Sequence, residues 1–102
     1  MGRVSSTAAS TLGTGVSSPS IQSIAVTKDT ETPISFPSGT RKYTIQLRDG
    51  AGFTVRYTSG STELWTVSWG NCYTEVDLSP TSTYIVYITP PKDGTLEVLS
   101  WS

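Results

Sequence analysis

Histidine is absent from this 102-residue chain, and cysteine and methionine occur once each. Without histidine the commonest general base and metal ligand is missing. No Ser-His-Asp or Cys-His arrangement can be assembled from these residues. A single cysteine, Cys72, excludes an intramolecular disulfide and makes no zinc site of the usual Cys/His kind. Charge is scarce as well: 15% of residues carry one, and the net charge is −1. That gives no electrostatic pull toward nucleic acid or an anionic membrane. No apolar run approaches the ~20 residues of a membrane-spanning helix, and no secretory h-region opens the chain. These absences lead to the expectation of a non-enzymatic protein with no cofactor, no metal, no nucleic-acid partner and no membrane partner.

What is present is a great deal of Ser, Thr and Gly, unevenly spread. The hydrophobic fraction of 35% is low for a globular chain. Residues 1–19, MGRVSSTAASTLGTGVSSP, hold only Val4, Leu12 and Val16 as branched apolar side chains. Such a segment cannot bury enough surface to offset its ordering entropy. It reads as an extended arm that takes a fixed place only against a partner, with Val4, Leu12 and Val16 as the contacts. Residues 20–102 read as one domain.

From Ser20 onward short alternating segments are bounded by turn residues, the pattern of a sandwich or barrel. Strands are predicted at residues 21–27, 33–37, 42–48, 53–58, 64–69, 72–78, 84–89 and 95–101. Tyr43, Ile45 and Leu47 form one inward face, and Phe53, Val55 and Tyr57 another. Residues 84–89 are β-formers on both faces, as in a central strand. Asp49-Gly50-Ala51-Gly52 and Ser59-Gly60-Ser61 are turn signals, and Gly70-Asn71 suggests a two-residue hairpin. No stretch shows helical period. About eight short strands in all-β order point to an antiparallel β-sandwich of jelly-roll type.

Few side chains suggest chemistry. Trp65 and Trp69 share one predicted strand face, as core filling or as an exposed platform for a sugar or a partner. Trp101 closes the last strand, where core and interface roles are equally open. Arg41, Lys42, Arg48 and Arg56 are expected on the outward faces of two adjacent strands, facing an acidic partner or protecting an edge. Glu75 and Asp77 are expected to point outward together. A glycosidase uses two carboxylates about 5–9.5 Å apart, but a solvated strand face explains this pair better. Asp29, Glu31, Asp49 and Asp93 lie in loops without the spacing of a calcium site. Cys72 has no neighbour that would activate its thiol.

Two segments resemble small bacteriophage virion proteins. One is Pro37-Ser38-Gly39-Thr40-Arg41-Lys42-Tyr43-Thr44-Ile45-Gln46-Leu47-Arg48, a proline–glycine turn leading into an amphipathic strand. The other is Ser82-Thr83-Tyr84-Ile85-Val86-Tyr87 followed by Gly94-Thr95-Leu96-Glu97-Val98-Leu99-Ser100-Trp101. The resemblance spans residues 33–101. It implies a structural protein of the virion, made in the host cytoplasm and placed on the capsid surface. The role implied is capsid decoration, or cement. Its partners would be the major capsid protein and further copies of itself, as a trimer. Val4, Leu12 and Val16 would serve as arm contacts, and Trp65, Trp69, Trp101, Arg41 and Arg48 as candidate interface residues of the head. Alternatives are a tail, fibre or connector component, or a carbohydrate-binding module using exposed tryptophans.

Overall fold

The structure, a computed structural model, describes residues 18–102. Val4, Leu12 and Val16 therefore lie outside the described residues. Eight strands follow: β1 (Pro19–Val26), β2 (Thr32–Phe36), β3 (Lys42–Leu47), β4 (Phe53–Arg56), β5 (Trp65–Val67), β6 (Tyr73–Glu75), β7 (Tyr84–Thr89) and β8 (Gly94–Trp101). There is no helix among the described residues, and so none long and apolar enough to cross a membrane.

Three of the pairings follow one rule. Residues equidistant from Gly60 face each other: Val55 opposes Trp65, Ile34 opposes Val86, and Ile24 opposes Leu96. β3 and β6 are offset from it by two residues, with Tyr43 opposing Glu75. The chain is thus one long antiparallel hairpin ribbon with its tip at Ser59-Gly60-Ser61. Gly60 takes φ 71° there, a left-handed conformation that glycine adopts without a Cβ penalty. The ribbon then winds on itself. β8 also pairs with β3, and β7 with β4. The result is two four-stranded sheets of order β1-β8-β3-β6 and β2-β7-β4-β5. This is the jelly-roll arrangement expected from the strand pattern.

Every connection except β4–β5 crosses between the sheets. Gly70-Asn71 is therefore not a hairpin, contrary to its sequence signal. It turns the chain from β5 in one sheet to β6 in the other, closed by Asn71 N–H donating to Ser68 O at 3.1 Å. Asp49–Gly52 is a second such crossing, where the Asp49 carboxylate accepts the Ala51 N–H at 3.0 Å. Gly70 N–H donates to Gly50 O at 2.7 Å and ties the two crossings together. At the ribbon tip, Glu31 accepts the Ser59 hydroxyl at 2.5 Å and the Gly60 N–H at 3.0 Å.

Alternation along the strands explains the core. Tyr43, Ile45, Val86, Ile88 and Leu96 are completely buried between the sheets. Each such side chain contributes about 1.5–3 kcal/mol by leaving water. Tyr43, Ile45 and Leu47 of β3 and Phe53 and Val55 of β4 are buried as expected, whereas Tyr57 lies past the end of β4 and is exposed. β7 is a central strand flanked by β2 and β4. One face is inverted relative to the sequence reading. In β6, Tyr73 opposes the buried Ile45 and Glu75 opposes the buried Tyr43, so both stand on the inner face. Thr74 opposes Thr44 on the outside. The ribbon register overrides the local pattern here, because an even slip keeps a strand's faces while an odd one exchanges them.

Candidate functional site

One end of the sandwich collects the unusual side chains. It is formed by the C-terminal ends of β2, β4, β6 and β8 and the N-terminal ends of β3 and β7. Phe36 stacks on Tyr43 with ring centroids 4.3 Å apart. The Tyr43 hydroxyl donates to a Glu75 carboxylate oxygen, and the Tyr84 hydroxyl donates to the same oxygen at 2.9 Å. The Tyr57 and Tyr73 hydroxyls bond each other beside them. A carboxylate drawn partly out of water is costly unless hydrogen-bonded, and Tyr43 and Tyr84 supply that bonding to the half-buried Glu75. Burial first, then the hydrogen bond to Glu75, holds the Tyr43 phenol far above its ordinary range. Tyr84 is raised by the same two causes, and Tyr57 by burial and its bond to Tyr73. Phenols held so firmly protonated fasten the end of the sandwich; they do not exchange protons near neutral pH.

Against this end lies an open groove of about 810 Å³, lined by Arg41, Lys42, Val76, Asp77, Leu78 and Trp101. Its construction is local. Arg41 N–H donates to Trp101 O at 2.7 Å, which sets β3 beside the end of β8. Outward alternation places Lys42 and Trp101 opposite each other on the outer face of that sheet. The Lys42 ammonium sits 4.6 Å from the Trp101 ring centroid, a cation–π contact. After β6, Asp77 adopts φ 58°, a conformation for which aspartate is enriched. That turn runs the chain back along Arg41, where Leu78 N–H donates to Arg41 O at 3.0 Å. Val76 is left exposed on the groove wall. The groove thus combines two cations, one carboxylate, an indole and two aliphatic side chains. Just beyond Trp101, Ser102 exchanges backbone hydrogen bonds with Ser18 at 3.1 and 3.2 Å. Ser18, the first described residue, therefore lies beside this groove.

The remaining candidates are dispersed. Trp65 opposes Val55 on the inner face, yet it is 65% exposed because β5 is an edge strand with nothing beyond it. Trp69 lies past the end of β5 in the crossing turn and is 69% exposed. It borders a second groove of about 400 Å³ on the outer face, with Thr54, Thr66, Pro90 and Pro91. The two tryptophans do not share a strand face and form no common platform. Arg48 is bound within the chain, to Glu97 at 3.0 Å and Ser23 at 3.2 Å, and does not line the Arg41 groove. Arg56 belongs to the other sheet from Lys42. It bonds Ser61 O at 2.7 Å and the hydroxyls of Thr54 and Thr89 at 3.2 Å. The expected array of basic side chains on adjacent strands is therefore not formed.

Glu75 and Asp77 do not point outward together: Glu75 faces inward, and Asp77 is in the turn. The loop carboxylates are engaged separately, Asp49 with Lys92 at 2.7 Å and Asp93 with Lys28 N–H at 2.7 Å. Among the described residues no group of three His, Cys, Asp or Glu could hold a metal ion. Cys72 is exposed. The tyrosine–glutamate cluster was not visible in the sequence, since Tyr43 and Glu75 meet only through the ribbon register. Lys42 was legible as an outward-facing strand residue, Trp101 was left between core and interface roles, and their pairing was not visible.

No family model matches this chain, and no curated protein matches it. Among solved structures, a de novo designed double-stranded β-helix determined by solution NMR superposes with a TM-score of 0.56. The match covers 81% of this chain and 99% of the designed one, at 14% identity. At that identity the likeness concerns the fold alone.

Proposed function

We propose that this chain is a non-enzymatic structural protein of a bacteriophage virion, a capsid decoration protein that binds the major capsid protein and further copies of itself. The observation that carries the binding role is the groove of Arg41, Lys42, Val76, Leu78 and Trp101. A solvent-facing indole beside cations and aliphatic side chains is the composition of an interface anchor. The junction with residues 1–17 lies next to it, so an arm and a docking groove can engage one partner together. Two weak contacts joined in one chain reinforce each other through effective concentration. The capsid as partner rests on the resemblance of residues 37–48 and 82–101 to virion proteins. These two segments supply Arg41, Lys42 and Trp101 to the groove, and Val76, Asp77 and Leu78 come from outside them. Jelly rolls also occur in lectin and cupin domains, so the fold by itself does not choose among functions.

The direct test is to mix the purified chain with empty shells of the phage and measure co-sedimentation and copy number. A decoration protein covers the shell in repeating, symmetry-related copies, whereas a connector saturates at a single ring. Failure to bind shells overturns the capsid reading.

The exposure of Trp69 beside Pro90 and Pro91 favours a second reading, carbohydrate binding through the 400 Å³ groove. Glycan-array binding lost in Trp69→Ala and retained in Trp65→Ala would replace the capsid reading with this one.

A further inference from the structure

A two-sheet sandwich has four edge strands, here β1 and β6 in one sheet and β2 and β5 in the other. Natural sheets protect such edges with proline, charge or shortness. β2 carries Pro33 within it. β5 and β6 are three residues long, and β6 contains Glu75. β1 has a proline only at its first residue, Pro19, and none of these devices from Ser20 to Val26. It runs eight residues, PSIQSIAV, without a charged side chain. Its register with β8 is unbroken from Pro19 to Val26. Ile21 on its outer face is 75% exposed, more than any other large apolar side chain of the described residues.

Which backbone groups this edge offers follows from its ladder. Ser18 and Ser102 exchange both of their hydrogen bonds, and antiparallel ladders alternate between bonded and non-bonded pairs. The amides of Ser20, Gln22 and Ile24 therefore face β8. Those of Ile21, Ser23 and Ala25 point away from the sheet, unpaired within the described domain. Trp101 agrees with this alternation, since its carbonyl accepts from Arg41 on the opposite side.

We propose that β1 is a self-association edge, pairing antiparallel about a two-fold axis with β1 of a second copy of this chain. The proposal rests on the self-association within the preceding reading and is independent of shell binding. Charge decides the occupant. A strand with no charged residue opposes no like charges when paired with itself, whereas like charges directly opposite are destabilising. The symmetric register that sets Ile21 against Ser23 of the second copy employs all three outward amides of each chain. Because the axis is perpendicular to the sheet, both copies of Ile21 fall on the same face. There they flank the groove of about 260 Å³ that Ile21 forms with Leu99. The contact makes one continuous sheet across two copies. Eight residues a side is about a third of the 20–30 in a stable interface, so the dimer is weak and fills with concentration.

The test uses the full chain in analytical ultracentrifugation from about 1 µM to about 1 mM, the span over which weak complexes fill. Two variants are compared with it. Ser23→Pro removes an outward amide while leaving the bonds to β8 intact, a position at which edge strands accept proline. Ser23→Ala loses the same hydroxyl contact with Arg48 but keeps the amide. The expected result is a monomer–dimer equilibrium, weakened about tenfold or more by Ser23→Pro and unchanged by Ser23→Ala. Circular dichroism should show both variants folded. A trimer, or a dimer indifferent to Ser23→Pro, would show self-association through another surface and overturn the β1 assignment alone. A chain that stays monomeric at every concentration would overturn both this assignment and self-association. Hydrogen exchange would then report whether the Ile21 and Ser23 amides are covered within one chain.

Discussion

Tyr43 is the residue on which the most depends. It is completely buried, stacks on Phe36 and donates to Glu75. Tyr43→Phe keeps the ring and removes the donor, leaving the carboxylate with the Tyr84 hydroxyl. Hydrogen bonds to charged groups are worth about 1.5–3 kcal/mol, and urea denaturation should show a loss of that size. The raised phenols also set a pH dependence. Tyr43, Tyr57, Tyr73 and Tyr84 all hold their protons more tightly folded than unfolded. Their contribution is fully present below the ordinary phenol value of about 10 and is lost as pH rises above it. Stability should therefore be insensitive to these groups up to about pH 10 and fall beyond it, with the tyrosinate absorbance of these four appearing only as the chain unfolds. The carboxylates behave in the opposite sense. Glu31 is lowered by the Ser59 hydroxyl and Gly60 amide, and Glu97 by Gln46 and Arg48. What they add is present above the ordinary carboxylate range and is lost as pH falls through their lowered values.

Elements are positioned here by the winding of one ribbon, and at Gly52 two of its strands approach closely. A Cβ at Gly52 would stand 2.4 Å from the Val67 carbonyl oxygen, so β4 and β5 could not keep their spacing at that end. Gly52→Ala should cost about 1–3 kcal/mol in chemical denaturation, the usual penalty of overpacking. Gly60→Ala meets no neighbouring atom but holds a left-handed φ, and about 1–2 kcal/mol is expected for that reason alone. A cost at Gly60 as large as that of burying a clash would contradict the open tip. The strands themselves were largely legible, since period-two alternation in residues 42–48 and 53–57 names the core faces directly. Turn chemistry was legible as turns but not as destinations. Gly70-Asn71 has hairpin composition, yet it crosses between sheets because its flanking strands pair elsewhere. Glu75 was expected on the outer face for a related reason. On a strand this short, Cys72, Val76 and Leu78 outweigh Tyr73 in any apolar count, and only pairing with β3 resolves the phase.

At the scale of the whole molecule, a rigid ribbon wound into two sheets presents its exposed apolar groups at separate places. The β1 edge is neutral and suits a copy of itself. The groove at the other side of that sheet is cationic and aromatic, and suits a partner with carboxylates and apolar side chains. Arg41 and Trp101 were candidate interface residues in the sequence, and the structure brings both to one groove with Lys42. Trp65, Trp69 and Arg48 were grouped with them by residue type, and the structure disperses them because alternation says nothing of which sheet edges meet. The same geometry allows the two contributions to the proposed shell binding to be tested apart. Deleting residues 2–17 leaves β1 whole and should weaken shell binding while the far-UV spectrum of the β-domain persists. The most direct measurement is the co-sedimentation of full-length protein with empty shells for the native chain and for Trp101→Ala. Trp101 is partly exposed and outside the core, so its truncation tests the groove without unfolding the domain. An affinity reduced about 30-fold or more, as for an interface anchor worth 2 kcal/mol or above, is the predicted result. Equal binding of the two proteins to the shell would contradict the groove as the docking surface.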